Sequence, residues 1–98
     1  MAEQRELEVE IVAEDRFIWS GPALSVSART IDGEIGILPG HSPMLAVLGD
    51  GGVVVQQVNG STVTAHAEGG FFSVDNDRVV IVAGAATLDG DSAGESAA

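Results

Sequence analysis

The chain contains no cysteine and no lysine, and only 4% of its 98 residues are aromatic. The first absence excludes disulfides, thiolate metal sites and cysteine nucleophiles together, and leaves the redox compartment open. The second leaves four arginines (Arg5, Arg16, Arg29 and Arg78) against fifteen acids, a formal net charge of −11. A phosphate backbone or an anionic lipid surface would be repelled from the outset, so nucleic acid is not an expected partner. The same charge suits a partner patch rich in Lys and Arg, and it suits equally well a protein kept soluble by self-repulsion. With few aromatics the core falls to Val, Ile, Leu and Ala, of which the β-branched members favour pleated surfaces. Long apolar runs are missing too. None approaches the roughly 20 residues that span a bilayer, and residues 1–10 are acidic and polar where a secretory leader is basic and then apolar. The chain is therefore expected to be cytosolic and uncleaved.

No segment shows a helical period either; what is present is alternation. Leu7, Val9 and Ile11 alternate with Glu6, Glu8 and Glu10, the period of a strand with one wet face and one buried face. Residues 16–20 form a second strand across the polar corner Ala13-Glu14-Asp15, and Gly21-Pro22 is expected to turn the chain into a third, carrying Leu24, Val26 and Ala28. Residues 32–43 set three glycines and two prolines around a short apolar run, which no helix tolerates, so a strand with bulges or sharp bends at its ends is expected. Residues 44–48 read as a buried strand or one helical turn, closed by Gly49-Asp50-Gly51-Gly52. Asn59-Gly60 carries the φ tolerance of a two-residue type I′ turn and predicts that residues 53–58 and 61–67 pair antiparallel. After Gly69-Gly70 come residues 71–74, a polar turn at Asp75-Asn76-Asp77, and a last strand over residues 78–83. Eight or more short strands without a crossover helix predict an all-β antiparallel sandwich or barrel. Residues 1–88 make one domain, and the small, polar Gly/Ser/Ala-rich residues 89–98 are expected to be a disordered tail.

Catalytic chemistry has little to stand on. His41 and His66 are the two candidate general bases, and neither lies in a nucleophile or metal motif. His66 falls in a strand beside Thr64 and Glu68 and reads as a surface residue. His41 lies in the loop whose glycines and prolines impose an unusual path, where polar residues are more often contacts than packing. A small β-module that binds a metal or small ligand through His41 and His66 remains the alternative reading. The glycine-rich stretches lack the Lys and the following helix of a phosphate cradle. Residues 75–77 lack the spacing and terminal Glu of a calcium loop. Phe17 and Trp19 are open between core and interface anchor.

Taken as one block, Gly33-Glu-Ile-Gly-Ile-Leu-Pro-Gly-His-Ser-Pro-Met-Leu45 resembles a stretch in the N-terminal domain of the epsilon subunit of F-type ATP synthases. The segments Val12-Ala13-Glu14-Asp15, Trp19-Ser20-Gly21 and Gly69-Gly70-Phe71-Phe72-Ser73-Val74-Asp75-Asn76 are similar to that family's opening hairpin and final strands, so the resemblance covers about residues 5–88. It implies a flattened, antiparallel two-sheet β-sandwich at the foot of the central stalk. Such a subunit is not itself catalytic and holds no cofactor or metal. It docks the gamma subunit onto the membrane c-ring, and so helps couple proton transport to ATP synthesis. Its place is the cytoplasmic side of the cell membrane, peripheral and reached only through the c-ring. By the same resemblance Glu34, Gly36, Leu38, Pro39, His41 and Pro43 face the c-ring, where an acidic Glu34 suits basic loops.

One departure concerns the end of the chain. Members of that family usually continue into a pair of C-terminal helices that restrain ATP hydrolysis and in some cases bind ATP. Residues 89–98 leave no room for such a hairpin, so the resemblance is to a short form without helix insertion or ATP binding.

Overall fold

The computed structural model describes residues 6–92, and among them every regular element is a β-strand. Strand β1 spans Leu7–Ala13, β2 Arg16–Thr30, β3 Gly33–Ile37, β4 Met44–Gln57, β5 Thr62–Asp75 and β6 Arg78–Ser92. They follow the order β1-β6-β5-β4-β2-β3, and a further β1–β2 pairing closes the sheet on itself. The result is a flattened β-sandwich of 39 × 35 × 23 Å. No helix of the described residues is long and apolar enough to cross a membrane.

The expected alternation of β1 holds: Leu7, Val9, Ile11 and Ala13 are buried while Glu6 and Glu8 are exposed. They join Val26, Ile37, Val53, Val55, Val63, Phe72, Val74, Val79 and Ile81 in one core built almost wholly of aliphatic side chains. Pairing is antiparallel except between β1 and β6, which run parallel from Glu8↔Arg78 to Ala13↔Ala83. That exception to an all-antiparallel expectation arises because the two strands meet only through closure, and no turn joins them.

Six strands replace the expected eight or more because three expected breaks lie inside strands. Gly21-Pro22 is not a turn: β2 runs through it and changes partner there, pairing with β1 up to Ala23 and with β4 from Ala23 onward. Pro22, which has no N–H for a ladder, sits at that handover. Gly49-Asp50-Gly51-Gly52 is likewise not a turn, and residues 44–48 are a strand, though not the buried one expected: Leu45 and Val47 are exposed and only Leu48 is buried. Here β4 bends, so that Val47↔Phe71 and Gly51↔Ala67 are paired while the residues between are not. Gly69-Gly70 bends β5 at the same level, with φ of 68° and 107°. A side chain on Gly70 would overlap the Val82 carbonyl and lie 2.7 Å from Ala83 Cα, so only glycine fits. This line of bends folds the long strands over and makes two layers from one sheet.

The pairing expected for residues 53–58 with 61–67 is present, from Val53↔Ala65 to Gln56↔Thr62. Its turn differs from the expected type I′. Gly60 N donates to Gln57 O at 3.1 Å and Gln57 N to Ser61 O at 2.9 Å, which leaves a three-residue loop with positive φ at Gly60 but not at Asn59. Asn59 contributes through its side chain instead, Oδ1 accepting from Ser61 N at 2.9 Å and from Ser61 Oγ at 2.6 Å. The buried Ser61 hydroxyl also accepts from Gln57 Nε2 at 2.7 Å. Asn59→Ala should therefore lower stability by about 1 kcal/mol, read as a shift of the urea midpoint at unchanged slope. Two consecutive left-handed residues occur instead at Asn76 (φ 51°) and Asp77 (φ 62°), between the paired Asp75 and Arg78. That φ pattern is the type I′ one, placed where the sequence suggested only a polar turn.

Strand β6 continues past Leu88 along β5 to Ser92, whose partner is Thr62. The remainder of the expected tail, residues 93–98, lies outside the described residues.

Candidate functional site

The loop between β3 and β4 is built by its two prolines and Gly40. His41 N donates to Leu38 O at 3.2 Å, closing a turn with Pro39 second and Gly40 third at φ 90°, the arrangement of a type II turn. Gly40 N points out of the loop and donates to Asp77 Oδ1 at 2.7 Å, across 37 residues. The backbone carbonyl of Asp77 accepts from Glu8 N at 2.8 Å. One residue of the β5–β6 turn thus ties the loop and the start of β1 into one end of the sandwich.

The six residues expected to face a partner lie along this end and the edge strand that leads to it. Leu38 is 63% exposed, Pro43 is exposed, and Pro39 and His41 are half-buried. The His41 ring is held by its own loop, with Nδ1 2.8 Å from Ser42 O. Glu34 and Gly36 are two apart on β3 and share its exposed side, Glu34 opposite the exposed Arg29 of β2. The structure therefore brings Leu38, Pro39, His41 and Pro43 together in the loop and sets Glu34 and Gly36 on the approach to it.

Sequence reasoning missed a second feature, an apolar row on the outer face. Val47 of β4 pairs with Phe71 of β5, Phe71 with Val82 of β6, Val82 with Val12 of β1, and Val12 with Phe17 of β2. Five strands contribute one side chain each, over four inter-strand steps of about 4.8 Å. Phe17 is 59% exposed and Phe71 54%, with Val47 and Val82 both above 40%. Leu45, two residues before Val47 and so on the same side of β4, is exposed as well. A β-bulge explains why Phe17 and Trp19 part ways. Ile11 pairs with Trp19 but Val12 with Phe17, so Ile18 is the extra residue; Ile18 and Trp19 pack against the core while Phe17 faces out. Gly21 makes room for the indole, since a Cβ there would come within 2.9 Å of the ring.

The two histidines do not converge. His66 is exposed on β5 between Gly52 and Thr87, its Nε2 3.6 Å from Glu68 Oε2, whereas His41 stands beside the turn at the far end of that strand. Among the described residues no three His, Asp or Glu gather closely enough to hold a metal ion. A shallow cleft beside Glu8, Val9, Glu10, Ser20 and Arg78 has its cation answered locally, Arg78 Nη2 lying 3.8 Å from Glu10 Oε1.

Residues 6–89 match the family described as ATP synthase, delta/epsilon chain, beta-sandwich domain. The chain is 72% identical over 88 residues to the ATP synthase epsilon chain of Micrococcus luteus, covering 90% of this chain and 96% of that one. It is 47% identical over 79 residues to the ATP synthase epsilon chain of Corynebacterium diphtheriae, covering 80% of this chain and 64% of that longer one. Among solved structures, a chain of the Euglena gracilis mitochondrial ATP synthase, in an assembly of OSCP, F1 and c-ring, superposes with a TM-score of 0.79 at 27% identity. That match takes in 85% of this chain and 53% of the other. A chain from the central stalk and c-ring of the Tetrahymena thermophila mitochondrial ATP synthase shares the fold, with a TM-score of 0.66 at 16% identity, over 88% of this chain and 69% of the other.

Proposed function

Because this chain belongs to the ATP synthase delta/epsilon chain β-sandwich family, we propose that it is the non-catalytic central-stalk subunit that seats the gamma subunit on the c-ring. The observation that carries the proposal is the apolar row from Val47 to Phe17. A stripe of exposed Val47, Phe71, Val82 and Phe17, with half-buried Val12 completing it across five strands, is a partner surface more readily than a solvated one, since aromatic side chains are enriched in interfaces relative to the rest of the surface. The gamma subunit is its proposed occupant.

The loop over residues 38–43, with Glu34 and Gly36 beside it, is the proposed contact to the c-ring. Leu38 gives that end an exposed apolar contact and Glu34 a charge that basic loops would attract. Residue 43 leads directly into β4, and Val47 lies four residues on, so the two contacts are about 13 Å apart along one strand. A rigid sandwich with one sticky face and one charged end can transmit torque between two partners without chemistry of its own. Coupling of proton flow to ATP synthesis would then be mechanical, with the subunit on the cytoplasmic side of the cell membrane and touching it only through the ring.

Titrating the chain against purified gamma subunit, and separately against a gamma–c-ring subcomplex in detergent, tests both contacts. Micromolar or tighter association with gamma is expected, strengthened when the ring is present. Glu34→Gln with His41→Ala should remove most of that strengthening and leave gamma binding and the melting temperature in place. Absence of any association with gamma in moderate salt would remove the proposal.

A further inference from the structure

We infer that Asp77 is a positioning residue for the partner-facing loop: its carboxylate latches residues 38–43 in the conformation that docks. This inference rests on the proposed role of that loop. Asp77 belongs to none of the surfaces so far assigned to a partner, and the loop it holds is distant in sequence.

The loop has few means of holding itself. Pro39 and Pro43 have no N–H to donate, and the N–H of His41 is used within the loop, on Leu38 O. Gly40, at φ 90°, gains no support from a side chain of its own. A hydrogen bond from Gly40 N to Asp77 Oδ1, short at 2.7 Å and charge-assisted, fastens this tip to the sandwich. Bonds of that kind are roughly twice as strong as neutral ones.

The backbone of Asp77 shows that the carboxylate is held ready for this bond. Asp77 sits at φ 62°, a left-handed conformation that Asp tolerates better than most residues but that Gly adopts freely. Its carbonyl is engaged by Glu8 N at 2.8 Å, and the next residue, Arg78, is in register with Glu8 in the β1–β6 ladder. The turn is therefore fixed by closure of the sheet, and its side chain presents a fixed acceptor to the loop. If only the latched loop docks, the apparent affinity for the ring scales with the latched fraction.

This separates a positioning role from a structural one. Asp77→Gly removes the acceptor but relieves the left-handed backbone, so the fold should keep its unfolding midpoint or gain slightly. Asp77→Asn keeps an Oδ1 acceptor and tolerates the same φ. Exchange of the Gly40 amide, followed by NMR in the free chain, should accelerate about tenfold or more in Asp77→Gly, the loss of one hydrogen bond to a charged acceptor. Affinity for the gamma–c-ring subcomplex should fall about threefold to fivefold while affinity for gamma alone holds. In Asp77→Asn, whose neutral acceptor makes a bond about half as strong, Gly40 exchange should return to within about threefold of the parent chain and ring affinity to within about twofold. Unchanged Gly40 exchange in Asp77→Gly would overturn the latch. Faster exchange with unchanged ring affinity, in a chain where Glu34→Gln with His41→Ala does weaken it, would overturn the positioning role and leave the docking loop standing. If neither change moved ring affinity, the docking reading itself would fall, and this inference with it.

Discussion

Replacing Phe17 and Phe71 together by Thr should weaken binding to the gamma subunit by about a hundredfold or more, with the fold intact. Each aromatic is the bulkiest member of its part of the outer row, one at the β2 end and one a single strand in from the β4 end. Truncating such an anchor costs about 2 kcal/mol or more when it is buried by a partner, and every 1.4 kcal/mol is about tenfold in affinity. In the free domain both side chains are more than half exposed, so little packing is lost. Cross-strand neighbours such as Val47 and Val82 account for about 0.2–1 kcal/mol per pair, and Thr keeps the β-branched shape that strands favour. Titration calorimetry with gamma, beside a thermal melt of the free variant, separates the two effects. Unchanged affinity would mean that gamma covers another face, and a collapsed melt would mean that the row belongs to the core.

Why the row escaped sequence reading is a matter of topology. Its members come from five strands, and the order β1-β6-β5-β4-β2 cannot be read from alternation alone. Alternation did reveal which residues of β1 point inward, and the β-branched run before Asn59-Gly60 revealed its partner strand, because both are local signals. The parallel β1–β6 contact, the handover of β2 at Pro22 and the bend at Gly69-Gly70 are long-range outcomes. Gly70 has a turn's composition, yet it serves a close approach of two strands, and only the Val82 carbonyl lying over it reveals this. The bulge at Ile18 breaks the period of two within a single strand, which is why Phe17 and Trp19 could not be assigned to opposite faces beforehand. The loop of residues 38–43 was legible as a rigid connection from its glycine and prolines, but its fastening to Asp77 was not. A polar residue in a polar turn has the same sequence signature whether or not it holds something 37 residues away.

Phe72, next to Phe71 in sequence, should behave in the opposite way. Phe72→Ala should cost about 3–5 kcal/mol of stability and act on gamma binding only through the fraction of chain that remains folded. Its side chain is fully buried, between the β4 partner Ala46 and the β6 partner Ile81, in a core otherwise filled mainly by Val, Ile, Leu and Ala. Two features push the cost toward the upper end. No other aromatic among the described residues is fully buried, so no neighbouring ring can swing into the space. The surrounding β-branched side chains are stiff at χ1 and cannot fill it by changing rotamer. A domain of this size is stable by only about 5–15 kcal/mol, so the substitution removes from about a fifth of the margin to all of it and should lower the urea midpoint accordingly. Phe72→Leu, which keeps most of the volume, should lose much less. Equal losses for Leu and Ala would show that ring shape, and not filled volume, holds the two layers together; a loss below about 1 kcal/mol for Ala would show that the core closes around the cavity.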